Sequence, residues 1–440
     1  MRNIKKAVAI AAAALLAIGC STYREYVRPD IPAADSLFAA VGEGSVAELS
    51  WRDFFTDPCL QSLIEEGLAN NADLASAALK VEQAQAALEM AAKAFLPGFD
   101  FAPSVSTGRV SLPVTASWEV DLGGRLLNSR RKAQAELERS EMLRRTVQTE
   151  LVAGIAELYY GLLKLDAQLL VSGTTAESWK ENVAIMKAMK EAGMTNEASV
   201  SQTEANSCSV EASVYDLRYS IAQMENALGV LLGVPSRHFE RTSINETSLP
   251  GVTGTGVPAE MLSRRPDVLA AELSLRSAFY DTQMARAAFY PSLNISGQAG
   301  WEKVFTAPSE WILSLGASAL QPIFAKGRLK AGLAQATSRQ EEALVNFRQT
   351  LLEAGAQVRD ALALCESAES KTDVRLRQIA ALENAEQSTV MLFRHSGSTY
   401  LEVLTAQQSL LSARLQQIAD RYDALRGSVA LYKALGGGVE

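Results

Sequence analysis

The chain has 440 residues, 48% of them hydrophobic, with a mean hydropathy of +0.02 and a formal net charge of −8. Length alone leaves room for two or three soluble domains, and the abundance of Ala and Leu between Gln and Glu favours helix. The acidic balance, with no cluster of Lys and Arg, excludes a phosphate-binding surface and hence nucleic acid as a partner.

The first 20 residues read MRNIKKAVAIAAAALLAIGC. Arg2, Lys5 and Lys6 precede an apolar run, Ala7–Ile18, that is too short for a spanning helix, so residues 1–19 form a signal peptide. Leu16-Ala17-Ile18-Gly19-Cys20 resembles the lipobox of bacterial lipoproteins, with Ala17 where Leu is usual and Leu16 one position further out. That resemblance implies an acylated Cys20 at the mature N-terminus. Ser21 after it implies export to the outer membrane. The other reading is an ordinary cleaved signal with an incidental cysteine. Residues 20–59 form an extended lipidated segment. No run of about 18 apolar residues follows, so any membrane crossing must use strands. Cys59, Cys208 and Cys365 are odd in number and far apart, which suits lone thiols rather than a disulfide framework or a metal site.

Asp73–Pro97 realigns without a gap on Asp267–Pro291, 194 positions later, with nine identities that include Asp73/Asp267, Leu79/Leu273, Met90/Met284 and Pro97/Pro291. A repeat present only twice points to a duplicated half-molecule. The halves are residues 60–235 and 263–440, joined by an equatorial linker at 236–262. No proline occurs between Pro113 and Pro235 or after Pro322, so each half contains a long stretch free of that helix breaker.

Each half opens with the repeated Ala-rich helix and continues into a hairpin region, with strands expected over about 99–122 and 292–323. Val114, Ala116, Trp118, Val120 and Leu122 alternate with Thr115, Ser117, Glu119 and Asp121; Leu313 and Leu315 alternate with Ser314 and Gly316. Such alternation over about ten residues marks a transmembrane barrel strand, and equally a soluble half-buried sheet. Trp118, Trp301, Trp311, Phe289 and Tyr290 could supply interfacial aromatics. The second outer loop should be about nine residues longer than the first, from the spacing of Pro97–Arg125 and Pro291–Arg328.

Long helices are expected over about 125–192 and 328–395, each roughly 100 Å at 1.5 Å per residue. They end at Gly193-Met194-Thr195-Asn196 and Ser396-Gly397-Ser398-Thr399, and a shorter helix returns from each turn. Two halves supply four strands. Four strands cannot close, and an open edge in lipid leaves backbone groups unsatisfied at several kcal/mol each. Three copies would give a twelve-stranded barrel wide enough for a channel, whereas two would give eight strands with a filled interior.

Met261–Gly300 resembles a signature of the outer-membrane efflux protein family, the TolC-like factors and NodT-type lipoproteins. Trp51–Asn71, Trp118–Arg125, Ala227–Val234 and Tyr400–Leu411 are similar to other family segments, in the same order. The resemblance implies a mainly α fold with membrane β: a trimeric twelve-stranded β-barrel, four strands per chain, continued by a periplasmic α-helical barrel built on two internal repeats. It implies a homotrimer in outer-membrane lipid, docked on a periplasmic adaptor (membrane fusion) protein and an inner-membrane pump of the RND class. The function implied is a passive exit duct, with no cofactor and no catalysis.

By the same resemblance, Glu402 matches an acid that three-fold symmetry turns into a ring at the periplasmic aperture. The first repeat departs, with Ser199 at the matching place and Glu197 and Glu204 nearby, of which Glu197 is assigned to the aperture. The tip that docks on the adaptor comprises Gly193, Thr195, Gly397, Ser398, Leu401, Val403 and Leu404. The apolar members of that set equally suit packing between helices. His238 and His395 are the only histidines, 157 residues apart, and have no metal-ligand spacing around them. The rival reading is a lipid-anchored periplasmic coiled-coil spacer that conducts nothing, but a spacer has no use for lipid-facing alternation.

Overall fold

A computed structural model of the chain describes residues 24–29, 50–247, 265–304, 309–322, 325–395 and 399–437. The signal peptide, Cys20, Gly397, Ser398 and most of the equatorial linker lie outside the described residues. In chain order the elements are α1 (Trp51–Phe54), α2 (Pro58–Asn70), α3 (Ala72–Lys93), β1 (Gly98–Phe101), β2 (Ser104–Ser106), β3 (Arg109–Val120), α4 (Arg125–Glu191) and α5 (Glu197–Leu232). There follow α6 (Pro266–Ala287), β4 (Ser292–Val304), β5 (Glu310–Leu320), α7 (Arg328–Arg394) and α8 (Tyr400–Ala434). Both α4 and α7 have 67 residues. No described helix is long and apolar enough to cross a membrane.

The contacts divide the chain into two units. The first comprises Met1–Ala33, Ala77–Arg144 and Pro266–Leu351. It holds a single antiparallel sheet in the order β1-β3-β4-β5, with β2 also paired to β3. The first outgoing strand is therefore broken into two pieces at Ala102-Pro103, because proline has no N–H to give the ladder. Pro113 in β3 pairs with Gly300, where a Cβ would stand 2.8 Å from the Leu112 carbonyl and the Pro113 Cα. Glycine is what lets the two strands meet there.

The expected nine-residue surplus in the second outer loop is corrected. Five residues separate Val304 from Glu310, against two between Ser106 and Arg109. The rest of the surplus lies in the longer β4 and in the connector 321–327. Both strand-to-helix connectors use left-handed glycines, Gly124 at φ 73° and Gly327 at φ 78°. Asp121 then caps the start of α4 by accepting from the Leu127 N–H at 2.8 Å.

The second unit comprises Ala34–Ser76, Arg145–Arg265 and Leu352–Glu440. Its core joins α1 and α2 to the middle of α4 and the last turns of α8. The Phe54 ring stacks on Tyr432 at 4.4 Å between centroids, and Phe55 meets both rings edge-on. The Asp57 carboxylate caps α2 by accepting from the Cys59 N–H at 2.9 Å, and it accepts from the Tyr159 hydroxyl at 2.7 Å and the Thr242 hydroxyl at 2.6 Å. Burial raises the Tyr159 hydroxyl well above the ordinary phenol range. Buried Arg265 donates to the Ala434 carbonyl and to Gln357, both at 2.8 Å, fixing the chain ahead of α6. Cys59, Cys208 and Cys365 are free thiols.

Phe54→Ala should remove about 3–5 kcal/mol of stability, as expected for emptying a buried aromatic site. Denaturant unfolding in detergent, followed by tryptophan fluorescence, measures it; a loss under 1 kcal/mol would deny the stack its role.

Candidate functional site

Two places carry functional geometry, and the first is the sheet. Its register sorts most side chains by face, with Pro113 and Ile312 on the polar side and Lys303 at the outer end of the apolar side as exceptions. On one face Leu112, Trp301 and Trp311 lie side by side; beside them run Phe101, Val114, Ala299 and Leu313, and then Phe99, Ala116, Gly297 and Leu315. The opposite face carries Ser111, Glu302 and Glu310, then Asp100, Thr115, Gln298 and Ser314, then Glu119, Asn294 and Ser318. Alternation seen along single strands thus becomes two continuous surfaces, one apolar and one polar. Leu313 and Leu315 on β5 are more than 80% exposed, so the apolar surface is uncovered by the chain itself. Strands β3, β4 and β5 have 12, 13 and 11 residues, enough for a tilted crossing, which takes about 9–11.

Both edges of this sheet are open among the described residues. β1 and β2 pair only with β3, and β5 pairs only with β4. At the base of the sheet, Trp118 Nε1 donates to the Phe95 carbonyl at 2.9 Å, and Arg125 forms an ion pair with Glu119.

The second place is the pair of helical turns. Gly193 closes α4 at φ 70°, with its N–H on the Lys190 carbonyl and the Met194 N–H reaching back to the Met189 carbonyl, each at 2.9 Å. This is a left-handed helix stop, and it explains why glycine stands there. Thr195 is half-buried, and Asn196 caps α5 by accepting from the Ser199 N–H at 3.0 Å. Glu197 is in the first turn of α5 but forms an ion pair with Lys190 across the turn. Its charge is compensated locally. Lys190 was not singled out from sequence; its signal is only a spacing of seven residues, meaningful once Gly193 folds the chain back.

Glu402 is in the first turn of α8, exposed, with no ion pair among the described residues. Its N–H donates to the Thr399 carbonyl at 3.1 Å. Leu401 is 65% exposed, whereas Val403 and Leu404 are buried at 4% and 3%. Of the two readings for these side chains, packing between helices fits the buried Val403 and Leu404, whereas Leu401 stays open to a partner. Tyr400 packs on Phe393 at 5.3 Å; burial raises its hydroxyl pKa, and the Thr203 side chain on α5 pulls it the other way. The start of α8 is therefore seated beside α5. His395 is exposed at the end of α7, and His238 lies 3.0 Å from Glu225 in the other connection.

The outer membrane efflux protein family matches residues 63–234 and 257–437, most of each half. The cation efflux system protein CusC of Escherichia coli O6:H1 is 30% identical, the match covering 97% of each chain. The probable outer membrane lipoprotein SilC of Salmonella typhimurium is 29% identical, covering 96% of each. A crystal structure of CusC superposes with a TM-score of 0.85 at 29% identity, covering 95% of this chain and all of that one. With its two-faced sheet, its paired long helices and both matched blocks in place, the chain belongs to the outer membrane efflux protein family.

Proposed function

We propose that the chain is one third of a passive exit duct. Three copies join their sheets edge to edge into a twelve-stranded barrel across the outer membrane, and α4, α7 and their shorter partners continue it as a helical tunnel in the periplasm. The two halves are internal structural repeats. Cys20 carries the lipid anchor, and an inner-membrane pump of the RND class delivers cargo through a periplasmic adaptor. No catalytic step is assigned to this chain.

The two-faced sheet with open edges carries this reading. An apolar face is stable against hydrocarbon, a polar face against water, and unpaired edges in lipid demand a neighbour. A spacer in the periplasm would need neither face. CusC is a cation efflux protein by name, and the polar face here mixes Ser, Thr, Asn and Gln with the carboxylates Asp100, Glu119, Glu302 and Glu310.

At the periplasmic end, Glu402 is assigned to the aperture. Three copies would gather like charges around a narrow axis and favour cations. Glu197, neutralised by Lys190, adds little to that field. Gly193, Thr195, Leu401, Gly397 and Ser398 form the tip that meets the adaptor, with Val403 and Leu404 supporting it from below.

The purified mature protein should conduct ions in planar bilayers; silence under conditions where it is inserted would refute the duct. Leu313→Arg should cost about 2–4 kcal/mol of membrane stability and cut the heat-modifiable outer-membrane form sharply, whereas Ser314→Arg, one residue on and facing water, should be inserted normally. Equal effects of the two would reverse or erase the assignment of faces. Glu402→Gln should lower cation over anion permeability severalfold in reversal-potential measurements, and an unchanged ratio would remove Glu402 from the aperture.

A further inference from the structure

The end of α7 carries two side chains that a plain exit duct does not use. Met391 is 63% exposed, although methionine ordinarily fills cores, and His395 stands exposed four residues on. His395 continues the helical path beyond Arg394, its N–H donating to the Leu392 carbonyl at 3.1 Å. Residues four apart on a helix are neighbours on one face, with Cβ atoms about 5–6 Å apart. A thioether and an imidazole at that spacing can close on one ion.

Their side of the helix is fixed by Phe393, which packs on Tyr400 of α8 with ring centroids 5.3 Å apart. At about 100° per residue, Met391 and His395 each lie roughly 160° round the helix from Phe393. They therefore face away from the return helix. Neither side chain has a hydrogen-bond or ion-pair partner among the described residues. Nor is either needed to build the hairpin. The same positions of α4, 203 residues earlier, hold Ala188 and Ala192, and α4 reaches its turn at the same length as α7.

The donor set decides which ions fit. No group of three His, Cys, Asp or Glu among the described residues is placed to hold a metal ion, so Mg²⁺ or Zn²⁺ finds no cage here. A thioether beside a neutral imidazole is a soft pair, and soft monovalent ions such as Cu(I) and Ag(I) accept two donors. Glu402, exposed in the first turn of α8, draws cations of every kind. Its charge does not tell a soft ion from a hard one; Met391 and His395 do.

We propose that Met391 and His395 form a two-donor site for a soft monovalent cation at the periplasmic mouth of the duct. The ion is cargo there, not a resident cofactor. Two donors hold it firmly enough to concentrate it at the mouth and loosely enough to pass it on. The proposal rests on the exit-duct reading for its place at an entrance, and it names a class of cargo.

Methyl spectra of the full-length mature protein in detergent, labelled at its methionine methyl groups, test the site. Ag(I) is the probe, added in chloride-free buffer beyond the three equivalents per chain that free Cys59, Cys208 and Cys365 take up. Met194, 71% exposed at the other turn and without a histidine beside it, is the internal control. The Met391 signal, assigned by its loss in Met391→Leu, should shift at an Ag(I) concentration about tenfold below that which moves Met194. His395→Ala should erase that advantage, His395→Met should restore it, and Mg²⁺ should move neither signal. Equal responses of Met391 and Met194, or a Met391 response indifferent to His395→Ala, would overturn the site and leave a conducting duct standing. A selective Met391 response in protein that never conducts in bilayers would overturn the duct and, with it, the cargo role of the site.

Discussion

An unpaired strand edge is tolerable in water and ruinous in hydrocarbon, and this chain is organised around that fact. Its sheet is four strands wide, joined at the centre by β3 and β4 from different halves, and it ends on both sides in bare backbone. In water those N–H and C=O groups would find solvent partners. Against lipid they have none, so the fold as a single chain is incomplete where its apolar face requires it to be. The helix that leads into the β1 edge is bare as well, with Ala77 the one buried residue of α3.

The repeated block keeps apolar residues such as Leu79 and Leu273, Met90 and Met284, while its charged positions differ between the two copies. Asp281 and Arg276, which grip α4, correspond to Ala87 and Glu82 in α3. The contact of α6 with α4 is pinned by ion pairs, whereas Leu79 and Met90 of α3 stand exposed.

Much of this could be read from the residues themselves. The long helices were visible because proline is missing from two stretches and because Gly193 and Gly397 fall at matching distances beyond Gly124 and Gly327. The strands can be read wherever alternation runs unbroken, as from Val114 to Val120. The interruption at Pro103 was not anticipated, since β1 and β2 are each too short to establish a period. Near the turn, Val403 and Leu404 cannot be told from Leu401 by residue type; only their burial in the fold separates them. Lys190 and Glu197 form a pair only through a turn, and sequence distance does not register that.

The stack of Phe54 on Tyr432 has a temporal consequence. These residues are 378 positions apart, so the core of the second unit stays open until nearly the whole polypeptide is available to fold. The last helix is thus the bolt of that core: without Tyr432 the rings of Phe54 and Phe55 have nothing to close against.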